Sequence, residues 1–240
     1  MILFVGDIHG NVSAVKRAYE DAINSGAKAI IQVGDFGIYW PGESNGIAEF
    51  FNTNDLKIPF YFCDGNHENH TILDRCYHHQ RKRIVEVARN CFHVRRGSVL
   101  DIEDMKILFF GGAQSYLGKK DTPFILGENY WTREMPSWEE FSRFSNNFEK
   151  SDIVVTHDCP SFLLTDQPYY KQWSKNAVPQ FLSKTVKSAT SLPSMWFFGH
   201  HHEYDVYVTN RTNYYCCGKH GESWLYTEKN CVKTGQRVVK

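Results

Sequence analysis

Apolar and polar positions along the chain fall into a repeating order. Ile2 to Val5 is a short apolar run that stops at Gly6-Asp7, and Asn11 then opens a stretch with Val12, Val15, Ala18, Tyr19 and Ile23 at helical spacing. Ala29 to Val33 ends the same way at Gly34-Asp35, Ile47 to Leu56 reads as a helix, and Phe60 to Cys63 stops at Asp64-Gly65-Asn66. Strands alternating with helices predict a parallel, buried sheet. Residues 75–90 are predicted as a further helix. Cys91 to Val94, Ser98 to Ile102 and Met105 to Phe110 follow as strands between tight turns, where antiparallel pairing begins. Ser137-Trp138-Glu139-Glu140 is a capping-box sequence ahead of Phe141, Phe144 and Phe148, so a helix is expected to start at Ser137. Ile153 to Thr156 and Met195 to Phe198 are short apolar runs, each delivering a histidine at or just after its end, and Asp205 to Val208, Tyr214 to Cys217 and Ser223 to Tyr226 alternate like a second, antiparallel sheet. The expected fold is α/β, two packed mixed β-sheets forming a sandwich flanked by α-helices. No linker-like stretch divides it, so one domain is expected over residues 1–240.

Composition narrows the class. With 42% hydrophobic, 15% aromatic and 22% charged residues, the chain of 240 residues can bury a substantial core, which excludes disorder and low complexity. Its 27 Lys and Arg balance 27 Asp and Glu, which argues against a protein that coats nucleic acid. The seven cysteines are an odd number without a CxxC pair and read as reduced, mostly buried thiols. The first residues lack the charged start of a signal peptide, and no apolar run approaches a membrane span, so a soluble cytoplasmic protein without membrane association is expected.

Five segments place Asp, His or Asn where a predicted strand runs out: Asp7-Ile8-His9, Gly34-Asp35, Gly65-Asn66-His67-Glu68, Thr156-His157 and Gly199-His200-His201-His202. Ligands gather at the carboxyl ends of strands in open α/β sheets, so these segments are expected to build one site. Carboxylate oxygen, imidazole nitrogen and amide oxygen without thiolate suit hard-to-borderline divalent metals. Asp7 and His9, like His200 and His202, are two residues apart and would project from the same side of an extended strand end. Gly6, Gly34, Gly65 and Gly199 each precede a ligand, where the chain is expected to turn sharply and approach the metals closely.

The motifs DxH, GD, GNHE, H and GHxH occur in that order across residues 7–202, and on them the chain resembles the calcineurin-like metallophosphoesterases. GNHE alone would arise by chance in about one chain of this size in a thousand, so the match is specific. The resemblance implies the four-layer fold of that family and two divalent metal ions, manganese ahead of iron or zinc. Asp7, His9 and His202 would hold one metal, Asn66, His157 and His200 the other, and Asp35 would bridge them. Asn66 and His67 would meet the substrate, with His67 facing the leaving group as proton donor. Two divalent ions bring four positive charges; Asp7, Asp35 and a bridging hydroxide remove about three, which leaves a site suited to phosphate. The implied activity is hydrolysis of a phosphate ester by that hydroxide, of phosphatase type, on a phosphorylated small molecule, nucleotide or phosphoprotein. A phosphodiesterase or nuclease of the same family is the alternative, though the net charge does not point to nucleic acid. A metal-poor interaction scaffold with the same fold is the rival from another class; it would be expected to lose ligands that this chain retains.

Several segments depart from the pattern or lie outside it. In the Ser/Thr phosphatase branch an acid that would partner His67 follows the bridging Asp by three residues, within GDxxDRG; here that position is Ile38 and no Arg follows. The aromatics of Phe36 to Trp40 are expected to pack into the core, with stacking on a substrate ring as the alternative. Residues 75–96 hold seven Lys or Arg against Asp74 and Glu86, read as a solvated helix face rather than a substrate-receiving surface. Residues 113–136, with Lys119, Lys120, Tyr130, Trp131 and Arg133, are either a substrate cap or a plain connection. His70, His201 and His220 are expected to be supporting or surface groups, and Cys216 and Cys217 to point to opposite faces of a strand.

Overall fold

The computed structural model describes residues 1–41, 46–77, 82–115, 123–165, 171–227 and 230–234. Two mixed sheets face each other. One contains β1 (Ile2–Val5), β2 (Ala29–Gln32), β3 (Phe60–Phe62), β4 (Ile84–Ala88), β5 (Cys91–Val94), β12 (Ser223–Tyr226) and β13 (Cys231–Lys233), in the order β13-β12-β1-β2-β3-β5-β4. The other contains β6 (Ser98–Ile102), β7 (Met105–Phe110), β8 (Ile153–Thr156), β9 (Met195–Phe198), β10 (Val206–Val208) and β11 (Asn213–Cys216), in the order β10-β11-β9-β8-β7-β6. Four parallel strands form the middle of each sheet, with antiparallel strands at the edges.

Period-2 alternation sorts the strand residues into layers. Ile2 and Phe4 of β1, Ile107 and Phe109 of β7 and Ile153 and Val155 of β8 fill the space between the sheets. Leu3 and Val5 point the other way, onto α1 (Val12–Ser25) and α2 (Gly46–Thr53). Leu108 and Phe110 face α4 (Trp138–Phe148) and α5 (Ala177–Ser188). Each such side chain contributes about 1.5–3 kcal/mol when fully buried. Phe4 and Phe197 stack across the sandwich with centroids 3.6 Å apart, tying together the two strands that lead into the site. Cys216 and Cys217 face opposite cores, as alternation requires. At α4 the capping box is complete: the Ser137 hydroxyl accepts from Glu140 N and the Glu140 carboxylate accepts from Ser137 N.

Three expectations are corrected. Residues 75–90 are not one helix: α3 spans His70–Cys76, capped by the Asn69 side chain, and Ile84–Ala88 is the edge strand β4 paired with β5. The Ile-Val-Glu-Val-Ala run is rich in β-branched residues, so pairing with β5 outweighed the helical reading of its charges. The basic residues therefore do not line one helix face. Arg96 is buried and Arg95 stacks over Tyr77, while His78, His79 and Arg81 lie outside the described residues. The second sheet is not antiparallel and separate either. β11 runs parallel to β9, and β12 pairs antiparallel with β1 in the first sheet. The helix α5 and the strand β13 were not anticipated.

Candidate metal centre

The ends of β1, β2, β3, β8 and β9 converge where the two sheets meet, and seven predicted side chains come together there. Asp7, Asp35 and Asn66 are buried, His157 is wholly inaccessible, His200 is half-buried, and His9 and His202 keep 27% and 40% of their side-chain surface. His9 Nε2 lies 3.1 Å from His202 Nε2, and Asp7 Oδ2 lies 3.2 Å from His202 Nε2 and 3.8 Å from His9 Nε2. On the other side His157 Nε2 lies 3.1 Å from Asn66 Oδ1 and 3.2 Å from Asp35 Oδ1. Asp35 spans both groups, since its Oδ2 sits 3.7 Å from His9 Nε2.

Divalent cations fit this donor set. Lone-pair atoms face one another at hydrogen-bond separation with few protons to share, and Asp7, His9 and His202 on one side and Asp35, His157 and His200 on the other each bring three ligand atoms within 4.8 Å. His157 Nδ1 donates to the Val33 carbonyl 3.0 Å away, which leaves Nε2 directed at Asp35 and Asn66. Burial works against charge on His157, but the neighbouring Asp35 carboxylate overrides it and pushes its pKa up to about 10. A cation held between the two groups would compete with that proton. His200 is pushed down to about 3 by burial and stays neutral, as a ligand must be.

The local backbone differs from the extended geometry expected. His9, Asp35, His200 and His202 have φ of 48°, 54°, 66° and 57°, in the left-handed region that non-glycine residues rarely adopt. Turns, not strand ends, therefore aim these side chains. Such conformations cost of order 1–3 kcal/mol each and cluster at functional sites. The glycines contribute chiefly close approach: a Cβ on Gly65 would overlap the Asp35 carboxylate, and one on Gly199 would overlap that of Asp7.

His67 donates its backbone N–H to Asp35 Oδ1 at 2.7 Å, and its ring lies 5.4 Å from those of His9 and Trp40. Ile38, where the acid partner would stand, is packed in the core, as are Phe36 and most of this segment. Trp40 remains half-buried beside His67 and packs edge-on against Trp131. Among the described residues no hydrogen bond found joins the His67 ring to a carboxylate; Glu134, from outside the motifs, lies near enough to feel its charge.

Other residues around the cluster have contacts that the sequence reading did not assign. Glu68 is buried and its two oxygens accept from Phe36 N and Gly37 N at 2.7 and 3.1 Å, clamping the GD loop to the GNHE loop. Burial, reinforced by Asp35, pushes its pKa up to about 8. Asp64 is gripped by Arg96 and His93 under the GNHE loop. Burial raises its pKa, but Arg96 and then His93 hold it well below the usual carboxylate range. Trp131 is buried and donates to Thr71 Oγ1 at 2.9 Å, so this end of the 113–136 segment is anchored; Lys119 and Lys120 lie outside the described residues. His70 and His201 are buried, His201 against Asp158 at 3.0 Å, and His220 is exposed.

No curated protein matches the chain. Among solved structures it is similar to TT1561 of Thermus thermophilus, with a TM-score of 0.63 and 15% identity over 98% of this chain and 97% of that one. It is also similar to a putative 5'-nucleotidase from Staphylococcus aureus in complex with alpha-ketoglutarate, with a TM-score of 0.52 and 14% identity, where 98% of this chain covers 52% of the other. At these identities the likeness is one of fold. The family model described as calcineurin-like phosphoesterase matches residues 1–204, a span that includes every ligand-type side chain of the centre. The chain therefore belongs to the calcineurin-like phosphoesterases, metal-dependent hydrolases of phosphoric esters.

Proposed function

We propose that the protein is a dinuclear phosphatase that uses Asp7, His9 and His202 for one ion, Asn66, His157 and His200 for the other, and Asp35 between them. The observation that carries this reading is the split Asp35 carboxylate, one oxygen beside His157 and the other beside His9. Two divalent ions held here would lower the pKa of a shared water and clamp phosphoryl oxygens for in-line attack. Asp7 and Asp35 supply only two negative charges, and Asn66 none, so the loaded site keeps a positive balance toward a phosphate. His67 sits at the open rim beside His9 and donates a proton to the departing oxygen. Manganese is the first ion to try, then iron or zinc.

Both sheets contribute ligands, which supports reading residues 1–240 as one domain. The half-buried Trp40 next to His67 forms the leaving-group wall, and a phosphorylated small molecule, a nucleotide or a phosphoprotein side chain would each present its leaving group there. The test is hydrolysis of p-nitrophenyl phosphate beside its bis ester by chelator-stripped protein reloaded with Mn, Zn or Ni. Faster monoester turnover is expected. A faster bis ester would replace this reading with a phosphodiesterase, and no metal-dependent turnover of either would leave the scaffold.

A further inference from the structure

A buried carboxylate outside the ligand set reaches Asn66 through a single hydroxyl. Glu134 closes the 3-10 turn Thr132–Glu134 and is 1% exposed. Its Oε1 accepts from the Ser115 backbone N–H at 2.7 Å, and its Oε2 accepts from the Ser115 hydroxyl at 2.6 Å. Having given its one hydrogen to the carboxylate, Ser115 Oγ has only lone pairs left, and it accepts from Asn66 Nδ2 at 3.2 Å. The direction of the chain is therefore set from its far end. A carboxylate can only accept, so the hydroxyl must donate to it, and the amide must turn its NH2 toward Ser115. Asn66 Oδ1 is then left on the opposite side, 3.1 Å from His157 Nε2, where an oxygen can meet a cation and an NH2 cannot.

The two ends of a carboxamide are nearly equal in shape, so packing alone discriminates poorly between its orientations. All three residues are buried, so a polar group that loses its partner here pays the full cost of its desolvation. The backbone of Glu134 is held in turn: Arg96 Nη2 donates to its carbonyl at 3.1 Å and to that of Arg133 at 2.8 Å, while Arg96 is itself locked on Asp64. The position of the carboxylate is thus tied to the residue that precedes the GNHE motif.

We propose that Glu134 and Ser115 are a positioning pair that fixes the amide orientation of Asn66 and thereby sets the affinity of the metal position Asn66 shares with His157 and His200. This rests on the ligand roles proposed above. The test is calorimetric titration of chelator-stripped protein with Mn2+, comparing the parent with Ser115→Ala, Ser115→Thr, Glu134→Gln and Asn66→Ala. Ser115→Ala removes the acceptor. Glu134→Gln keeps the shape but can donate to Ser115, which frees the hydroxyl hydrogen to point at Asn66 and invites the amide to flip. In both, one of the two binding steps weakens by about tenfold or more, the usual cost of losing a group that orients a ligand, and the other step holds. Ser115→Thr, which keeps the hydroxyl, restores the weakened step, and Asn66→Ala identifies which step it is. Thermal unfolding of the metal-free Glu134→Gln protein stays close to the parent's. Parental affinity at both steps in Ser115→Ala and Glu134→Gln would overturn the pairing alone, as would equal weakening of both steps with a lowered unfolding temperature. A parent chain that takes up fewer than two ions would overturn the ligand roles themselves, and the pairing with them.

Discussion

The two halves of the centre are built differently. Asp7, His9 and His202 form an open group, with the two imidazoles partly in solvent and their nitrogens facing each other. Asn66, His157 and His200 form a closed group, in which His157 is tied to the Val33 carbonyl and Asn66 to Ser115. Asp35, buried, belongs to both. The closed group is braced by these hydrogen bonds, whereas the open group faces solvent; left-handed turn backbone occurs in both, at His9 and His202 on the open side and at His200 on the closed one. His67 and Trp40 stand on that open side. Bracing and exposure thus fall on different sides of one cluster.

The largest effect should come from removing what the halves share. Asp35→Asn is expected to lower turnover by at least about a hundredfold and to weaken both ions; two ions bound with parental turnover would show that Asp35 does not join the halves. Next, His67→Ala should leave metal content intact and slow an alkyl phosphate by about a hundredfold, with a smaller loss on p-nitrophenyl phosphate, whose leaving group needs no proton. Equal slowing of the two esters would remove His67 from the leaving-group side.

His202→Ala bears on the open half alone. It should release one ion per chain and leave the closed half loaded, read as metal per protein after equilibration against a mild chelator. Loss of both ions would mean that the closed half is not self-sufficient. Away from the seven side chains, the expected effect is on stability and not on turnover. His70 is buried, and burial lowers its pKa to about 4 from its usual 6.5, so the folded chain binds fewer protons there than the unfolded one. Stability should be unaffected above pH 6.5 and fall as the pH drops from there toward 4, by up to about 3 kcal/mol. His70→Gln should flatten this acid limb in denaturant titrations; an unchanged slope would place the titrating group elsewhere.

Much of the centre was readable because strand ends and motif residues are local features. A run such as Ile2 to Val5 followed by Gly6-Asp7 marks both a buried strand and its exit, and five such exits contain the seven ligand-type residues that the family resemblance singles out. The 75–90 stretch misled because Arg, Lys and His are compatible with either element, and only pairing with β5 reveals Ile84–Ala88 as an edge strand. Glu134 and Ser115 carried no motif. They matter because the loop after β7 brings them under Asn66, 49 positions away from Ser115 in the chain.

The amino-acid sequence determined most of the buried strands, the capped start of α4 and the chemical types gathered at the strand exits, because alternation, capping residues and side-chain chemistry are properties of short segments. Tertiary structure alone decided how close these side chains lie, which group is buried, and which end of the Asn66 amide faces His157. Those outcomes depend on distances between segments far apart in the chain, and on which buried acceptor is left without a choice of partner.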